Sequence, residues 1–243
     1  LGVAARIYAA AGVGDAALDG IRSEGAELIV DHQPYDTVVL TAAASAADRP
    51  DELLIQDTSW EGYREIPMWI VDGYTTMLAE IDDQLGLGLT KLTHIVVPMG
   101  VGSLAQAVLQ HYRSMSAVSP RVIGVEPTTA AGITRSLLAG HVAHVDTRET
   151  IMAGLNCGTP SQAAWPYLSR GLDAAVAVTD PEALEAVRDL HRAGVGAGPC
   201  AAAALAALRV IIAAGGADQT SLGPHAHVVL IGTEGFDANP VDV

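Results

Sequence analysis

The sequence predicts an α/β protein with parallel, doubly wound sheets. Three observations carry that prediction. Short apolar runs alternate with alanine-rich stretches of helical spacing along the chain. Turn residues punctuate the boundaries, as at Arg49-Pro50-Asp51. One run, His94–Pro98, is nearly all apolar, the pattern of a strand covered on both faces of a parallel sheet.

Residues 6–8 read as a strand and Asp15–Ser23 as a helix. Residues 27–30 and 35–46 repeat the unit, and residues 53–55 read as a third short strand. Ile66, Trp69, Ile70, Met77, Leu78 and Ile81 share mostly helical spacing, which predicts one helix over residues 66–85, ended by Gly86-Leu87-Gly88. Further strands are expected at His94–Pro98, residues 121–125, Ala174–Val178 and residues 227–231. Helices are expected at residues 101–112, 129–138, 163–169 and 181–191, and at Pro199–Ala213, with a short helix or loop around Met152-Ala153-Gly154. Asp180 is the expected N-cap of the helix that Pro181 opens. Pro199–Ala213 is apolar enough to be buried on most sides. No solenoid-type repeat is present. Two closely packed units are expected, residues 1–56 and 57–243, because no Gly/Ser-rich linker separates them.

The 243 residues suffice to bury a real core. The formal net charge of −15, with no basic cluster against it, argues against nucleic acid and anionic membranes as partners. No apolar run is long enough to span a bilayer. Cys157 and Cys200 lack metal-ligand spacing and read as small buried residues, which fits a cytoplasmic setting. Among the eight histidines, His225-x-His227 reads as a loop-to-strand turn, and no metal is expected.

Three strand ends carry chemistry. His94–Pro98 runs through Met99 into Gly100-Val101-Gly102-Ser103-Leu104. Glycines let the backbone approach a ligand, and the N–H groups that open a helix favour an anion. That is a phosphate cradle in physical terms, although a tight turn would look the same. It is neither a dinucleotide fingerprint nor a Walker loop, since neither a third glycine nor a Gly-Lys-Ser/Thr follows. Asp57, in Gln56-Asp57-Thr58-Ser59-Trp60-Glu61-Gly62-Tyr63, follows a strand and stands where a general base would. On spacing alone, an Asp that caps a turn is the simpler reading. Thr233, in Ile231-Gly232-Thr233-Glu234-Gly235, ends the last strand, where a hydroxyl could reach a ring nitrogen. Glu126-Pro127 is generic by itself.

In order along the chain, these pieces together with Tyr35-Asp36, Ile66-Pro67-Met68-Trp69-Ile70, Val125-Glu126-Pro127 and Ile151-Met152-Ala153-Gly154-Leu155-Asn156-Cys157-Gly158 resemble the diaminopropionate ammonia-lyase family. That family belongs to the fold-type-II (tryptophan synthase β-like) pyridoxal-phosphate enzymes. The resemblance covers nearly the whole chain, and the Asp57 motif and the stretch from Met152 to Gly158 are its specific parts. It implies pyridoxal 5'-phosphate as cofactor, cradled by Gly100, Val101, Gly102, Ser103 and Leu104. Gly154 would lie against the ring and Thr233 beside its nitrogen. A neutral hydroxyl there leaves that nitrogen largely unprotonated, which suits β-elimination. Asp57 would abstract the α-proton of one substrate enantiomer, and Trp60 and Tyr63 would line the entrance or pack beneath it. The implied reaction eliminates ammonia from 2,3-diaminopropionate, a small amino acid, to give pyruvate and a second ammonia. The implied assembly is a homodimer.

The sequence also departs from the family. The lysine that carries the cofactor, an Asn/Gly/His loop and a second aspartate are expected upstream of Leu1, so the chain reads as a lyase incomplete at its N-terminus and inactive as it stands. Lys91 is the single lysine and precedes the strand His94–Pro98, at the wrong end of the sheet. Gly198-Pro199-Cys200-Ala201 replaces a more usual Ser-Gly turn. A threonine or serine dehydratase-like lyase and a non-catalytic fragment or pseudoenzyme are the competing readings. The Asp57 motif speaks against the first, and the missing lysine is the support for the second.

Overall fold

The computed structural model describes residues 2–10, 12–115 and 118–242. Two parallel sheets organise them. The first pairs β1 (Arg6–Ala10) with β2 (Glu27–Asp31), joined through α1 (Asp15–Ser23) and followed by α2 (Tyr35–Ala47). The second has four strands in the order β5-β4-β3-β6, all parallel: β3 (His94–Pro98), β4 (Arg121–Pro127), β5 (Ala174–Val178) and β6 (Val228–Leu230). The fold class expected from the sequence is the one observed.

The central strand β3 is buried along its whole length. Ile95 and Val97 join one core, with Val122, Leu78, Leu109 and Tyr112. Val96 joins the other, with Ile123, Val125, Val178 and the alanines of α9 (Pro199–Ala213). The alternation is the two-residue period of a strand, and each such side chain contributes about 1.5–3 kcal/mol on burial. Helices α3 (Glu65–Gly73), α4 (Thr75–Leu85), α5 (Ser103–Ser114) and α7 (Trp165–Gly171) belong with the first core, and α8 (Asp180–Arg192) and α9 with the second. Alanine at 201–204, 206 and 207 lets α9 lie close on the sheet. Helix α6 (Gly132–Ala139) follows β4, and a short α10 (Ala217–Thr220) precedes β6.

Several expectations need correction. Residues 53–55 pair with no strand; Leu53 and Ile55 are 69% and 67% exposed. The Tyr63 hydroxyl satisfies this stretch instead, donating to the Leu54 carbonyl (2.9 Å) and accepting from the Gln56 amide (3.1 Å). The long helix after residue 65 is two helices meeting at Gly73 and Tyr74, and Gly86–Lys91 continues as a 3-10 turn where a stop was expected. The N-cap of α8 is Thr179, in a capping box with Glu182. Asp180 is drawn away, accepting from the Thr150 hydroxyl and the Ile151 amide.

Candidate active site

Strand order decides where a site can form. The chain moves from β3 to β4 on one side, while β6 lies on the other. The strand ends flanking that reversal leave a crevice, the usual binding place in open parallel sheets. The loops after β3 and β6 open there into a cleft of ≈ 1700 Å³, larger than a typical small-molecule pocket and roomy enough for cofactor and substrate together. Asp57, Gly154, Thr233 and all five residues from Gly100 to Leu104 line it. Trp60 and Tyr63 do not.

The glycine turn has two fixed features. A Cβ on Gly100 would stand 3.1 Å from Cys157 Sγ and 3.2 Å from the Gly154 carbonyl, so the loop lies directly on the 3-10 turn Ala153–Leu155. Gly102 has φ +98°, and a Cβ there would be 2.6 Å from Leu168 Cδ1. Both demands select glycine. No side chain caps the α5 N-terminus, so the first-turn amides are free to meet an anion. The Ser103 hydroxyl turns the other way and donates to the Asp57 carbonyl (3.1 Å).

Asp57 is held from behind. The Ser59 amide and hydroxyl bond Ser161 Oγ (3.0 and 2.9 Å), and the Ala163 amide donates to Ser59 Oγ (2.6 Å). The Ser161 amide in turn donates to the Val101 carbonyl (2.9 Å). Base loop and glycine turn are thus one hydrogen-bonded body. Burial raises the Asp57 carboxyl above its ordinary value, with hydrogen bonds from Ser103, its own backbone and Tyr35 opposing. Tyr35, from the start of α2, lies 3.5 Å from Asp57 Oδ1.

Trp60 and Tyr63 stack on each other with ring centres 4.6 Å apart and close the short hairpin Trp60–Tyr63. They clasp the loop, and neither is among the residues that line the cleft, one of the two expected places being the packing beneath its entrance. Two carboxylates also serve structure. Glu126, fully buried at the end of β4, caps α6 by accepting the amides of Ile133 (2.7 Å) and Thr134 (2.8 Å) and the Thr134 hydroxyl (2.7 Å). Burial pushes it up to about 7. Glu234 accepts the Cys200 amide (2.7 Å) at the start of α9. Next to it, Thr233 stands exposed on the cleft wall. Sequence spacing did not reveal Arg148 and Asn239 in the lining or Tyr35 beside Asp57. For Tyr35 the available signal was Pro34, which starts a helix at the mouth of a strand end. Lys91 is exposed just before β3, away from the cleft. Among the described residues, no group of three His, Cys, Asp or Glu could hold a metal ion, and no helix is long and apolar enough to cross a membrane.

Residues 1–234 match the family model described as pyridoxal-phosphate dependent enzyme. The chain belongs to that family. Its cofactor is pyridoxal phosphate, and the bare glycine turn with an uncapped helix start suits the phosphate of such a group. The diaminopropionate ammonia-lyase of Salmonella typhimurium is 34% identical over 193 residues, 77% of this chain and 48% of the relative. That of Escherichia coli K12 is 39% identical over 173 residues, 69% and 42%. The chain thus spans about half the length of these curated relatives. The crystal structure of Escherichia coli diaminopropionate ammonia lyase in complex with D-serine superposes with a TM-score of 0.86 at 31% identity, covering 98% of this chain and 62% of that one. Maize serine racemase, at 18% identity and TM-score 0.74 over 100% of this chain and 68% of that chain, shares the fold.

Proposed function

We propose that the chain supplies the cofactor cradle and one catalytic base of a pyridoxal-phosphate ammonia-lyase acting on 2,3-diaminopropionate. One observation carries this: Asp57, half-buried and with its carboxyl raised by desolvation, is tied through Ser103 to the helix start that suits the phosphate. The bound cofactor supplies an electron sink for the carbanion formed when the α-proton leaves. The first-turn amides of α5 would hold its phosphate. Thr233 would offer a neutral hydroxyl to the ring nitrogen, and Gly154 would lie against the ring. Asp57 takes the α-proton of one substrate enantiomer on a carboxylate oxygen. Its desolvated setting raises its basicity toward that task. We place the unit boundary at residues 56 and 57, so that the cleft lies between a small and a large unit. The same reading makes the protein a cytoplasmic homodimer.

Lys91 lies away from the cleft, so this chain alone is expected to hold the cofactor without turning over. An exogenous amine can stand in for the missing side chain. The test is pyruvate release from 2,3-diaminopropionate with pyridoxal phosphate and methylamine, measured above the protein-free rate. Release that Asp57→Asn abolishes supports the proposal. Faster release of 2-oxobutyrate from threonine or of pyruvate from serine would favour a dehydratase, and no keto acid from any of them a non-catalytic chain.

A further inference from the structure

Two consecutive residues at the start of α2 cross from the first sheet's unit to the second. The Tyr35 hydroxyl lies 3.5 Å from Asp57 Oδ1 and 3.5 Å from Thr58 Oγ1. Asp36 Oδ2 accepts the Gly158 amide at 2.8 Å. Gly158 ends the segment that starts at Gly154 on the cleft floor, and it fits tightly: a Cβ there would stand 2.6 Å from the Val145 carbonyl and 3.1 Å from Asp36 Oδ2. Successive helical residues point about 100° apart. Two such anchors therefore fix the helix start in rotation as well as position. A separation of 3.5 Å is the outer limit of a hydrogen bond, and catalytic hydrogen bonds are often long before a ligand binds.

We infer that Tyr35 is a positioning residue for the Asp57 carboxylate and that Asp36 holds Tyr35 there, so that the seating of the first unit on the second readies the base. This rests on Asp57 being the base. The titratable groups that sense Asp57 are Tyr35 from α2, Tyr63 from its own loop, Tyr74 from the α3–α4 junction and Cys157 from the cleft floor. None is a cation, so burial of the Asp57 carboxyl is opposed by hydrogen bonds alone, Tyr35 among them. Removing that donor raises the carboxyl further.

The experiment is a carboxyl-carbon NMR titration of Asp57 in the 243-residue protein, with the signal assigned through Asp57→Asn. In Tyr35→Phe the Asp57 midpoint moves to higher pH. In an Asp36→Ala background the same Tyr35→Phe change has no effect, because Tyr35 has already left the carboxylate. In Asp36→Asn, which keeps an acceptor for Gly158, the effect returns. The background comparison cancels the charge lost with Asp36. An unchanged midpoint in Tyr35→Phe overturns the inference, and an undiminished effect in Asp36→Ala overturns the anchoring. The titration needs no turnover. A midpoint that shifts while Asp57→Asn leaves pyruvate release intact would sink Asp57 as base and leave its contact with Tyr35 standing.

Discussion

The Ser103 hydroxyl donates a hydrogen bond to the Asp57 carbonyl across 3.1 Å. One residue thereby serves two parts of the cleft, its amide at the helix start and its side chain on the base loop. Ser103→Ala should weaken pyridoxal-phosphate binding by roughly three- to tenfold, about 1 kcal/mol for one neutral hydrogen bond. A fluorescence titration of the cofactor reads this directly.

Behind that link sits the buried pair Ser59 and Ser161, 3% and 1% exposed. Ser161→Ala strands the Ser59 amide without its acceptor, a loss of roughly 1–3 kcal/mol. Urea unfolding should show a lower midpoint, and cofactor affinity should fall with it because the same network reaches Val101.

Glu126 gives the fold a pH dependence. Its folded value of about 7 lies above the ordinary 4.5, so the native state favours the protonated form. The stability this confers is full below pH 4.5 and is lost as pH rises through 7, on the order of 3 kcal/mol in all. Unfolding free energies of the wild type and Glu126→Gln, measured from pH 4 to 8, should converge or cross in this direction. A difference independent of pH would contradict the assignment.

Tyr63→Phe separates clasp from lining. The lost hydroxyl holds Leu54 and Gln56, so thermal stability should drop by roughly 1–2 kcal/mol. Cofactor affinity should stay within about twofold, since the ring lies outside the cleft lining.

Much of this was legible from residue order. The step from β3 through Gly100 and Gly102 into α5 could be read because a fully apolar strand and a glycine turn each constrain the backbone locally. Helix α5 starts at Ser103, two residues later than spacing suggested, because Gly102 takes the left-handed conformation. What escaped depends on partners distant in sequence. Residues 53–55 have a strand's composition but no neighbouring strand. Thr179 and Asp180 are both good caps, and Thr150 and Ile151, some thirty residues away, claim the second. For Trp60 and Tyr63 the entrance and the packing beneath it both stayed open, and the tight turn between them turns each ring onto the other. Pro34 marks where α2 starts, but the nearness of Tyr35 to Asp57 depends on packing between residues 22 apart in sequence, which that local signal does not encode.

The most direct test of the central claim is equilibrium binding of pyridoxal phosphate to the 243-residue protein and to Gly102→Ala. An alanine there is strained at φ +98° and meets Leu168 at 2.6 Å, which costs about 1–3 kcal/mol and shifts the amides at the helix start. The account predicts one saturable site in the wild type, competed by inorganic phosphate, and at least a tenfold weaker one in the variant. Absence of binding in the wild type, or equal affinity in a folded variant, would contradict it.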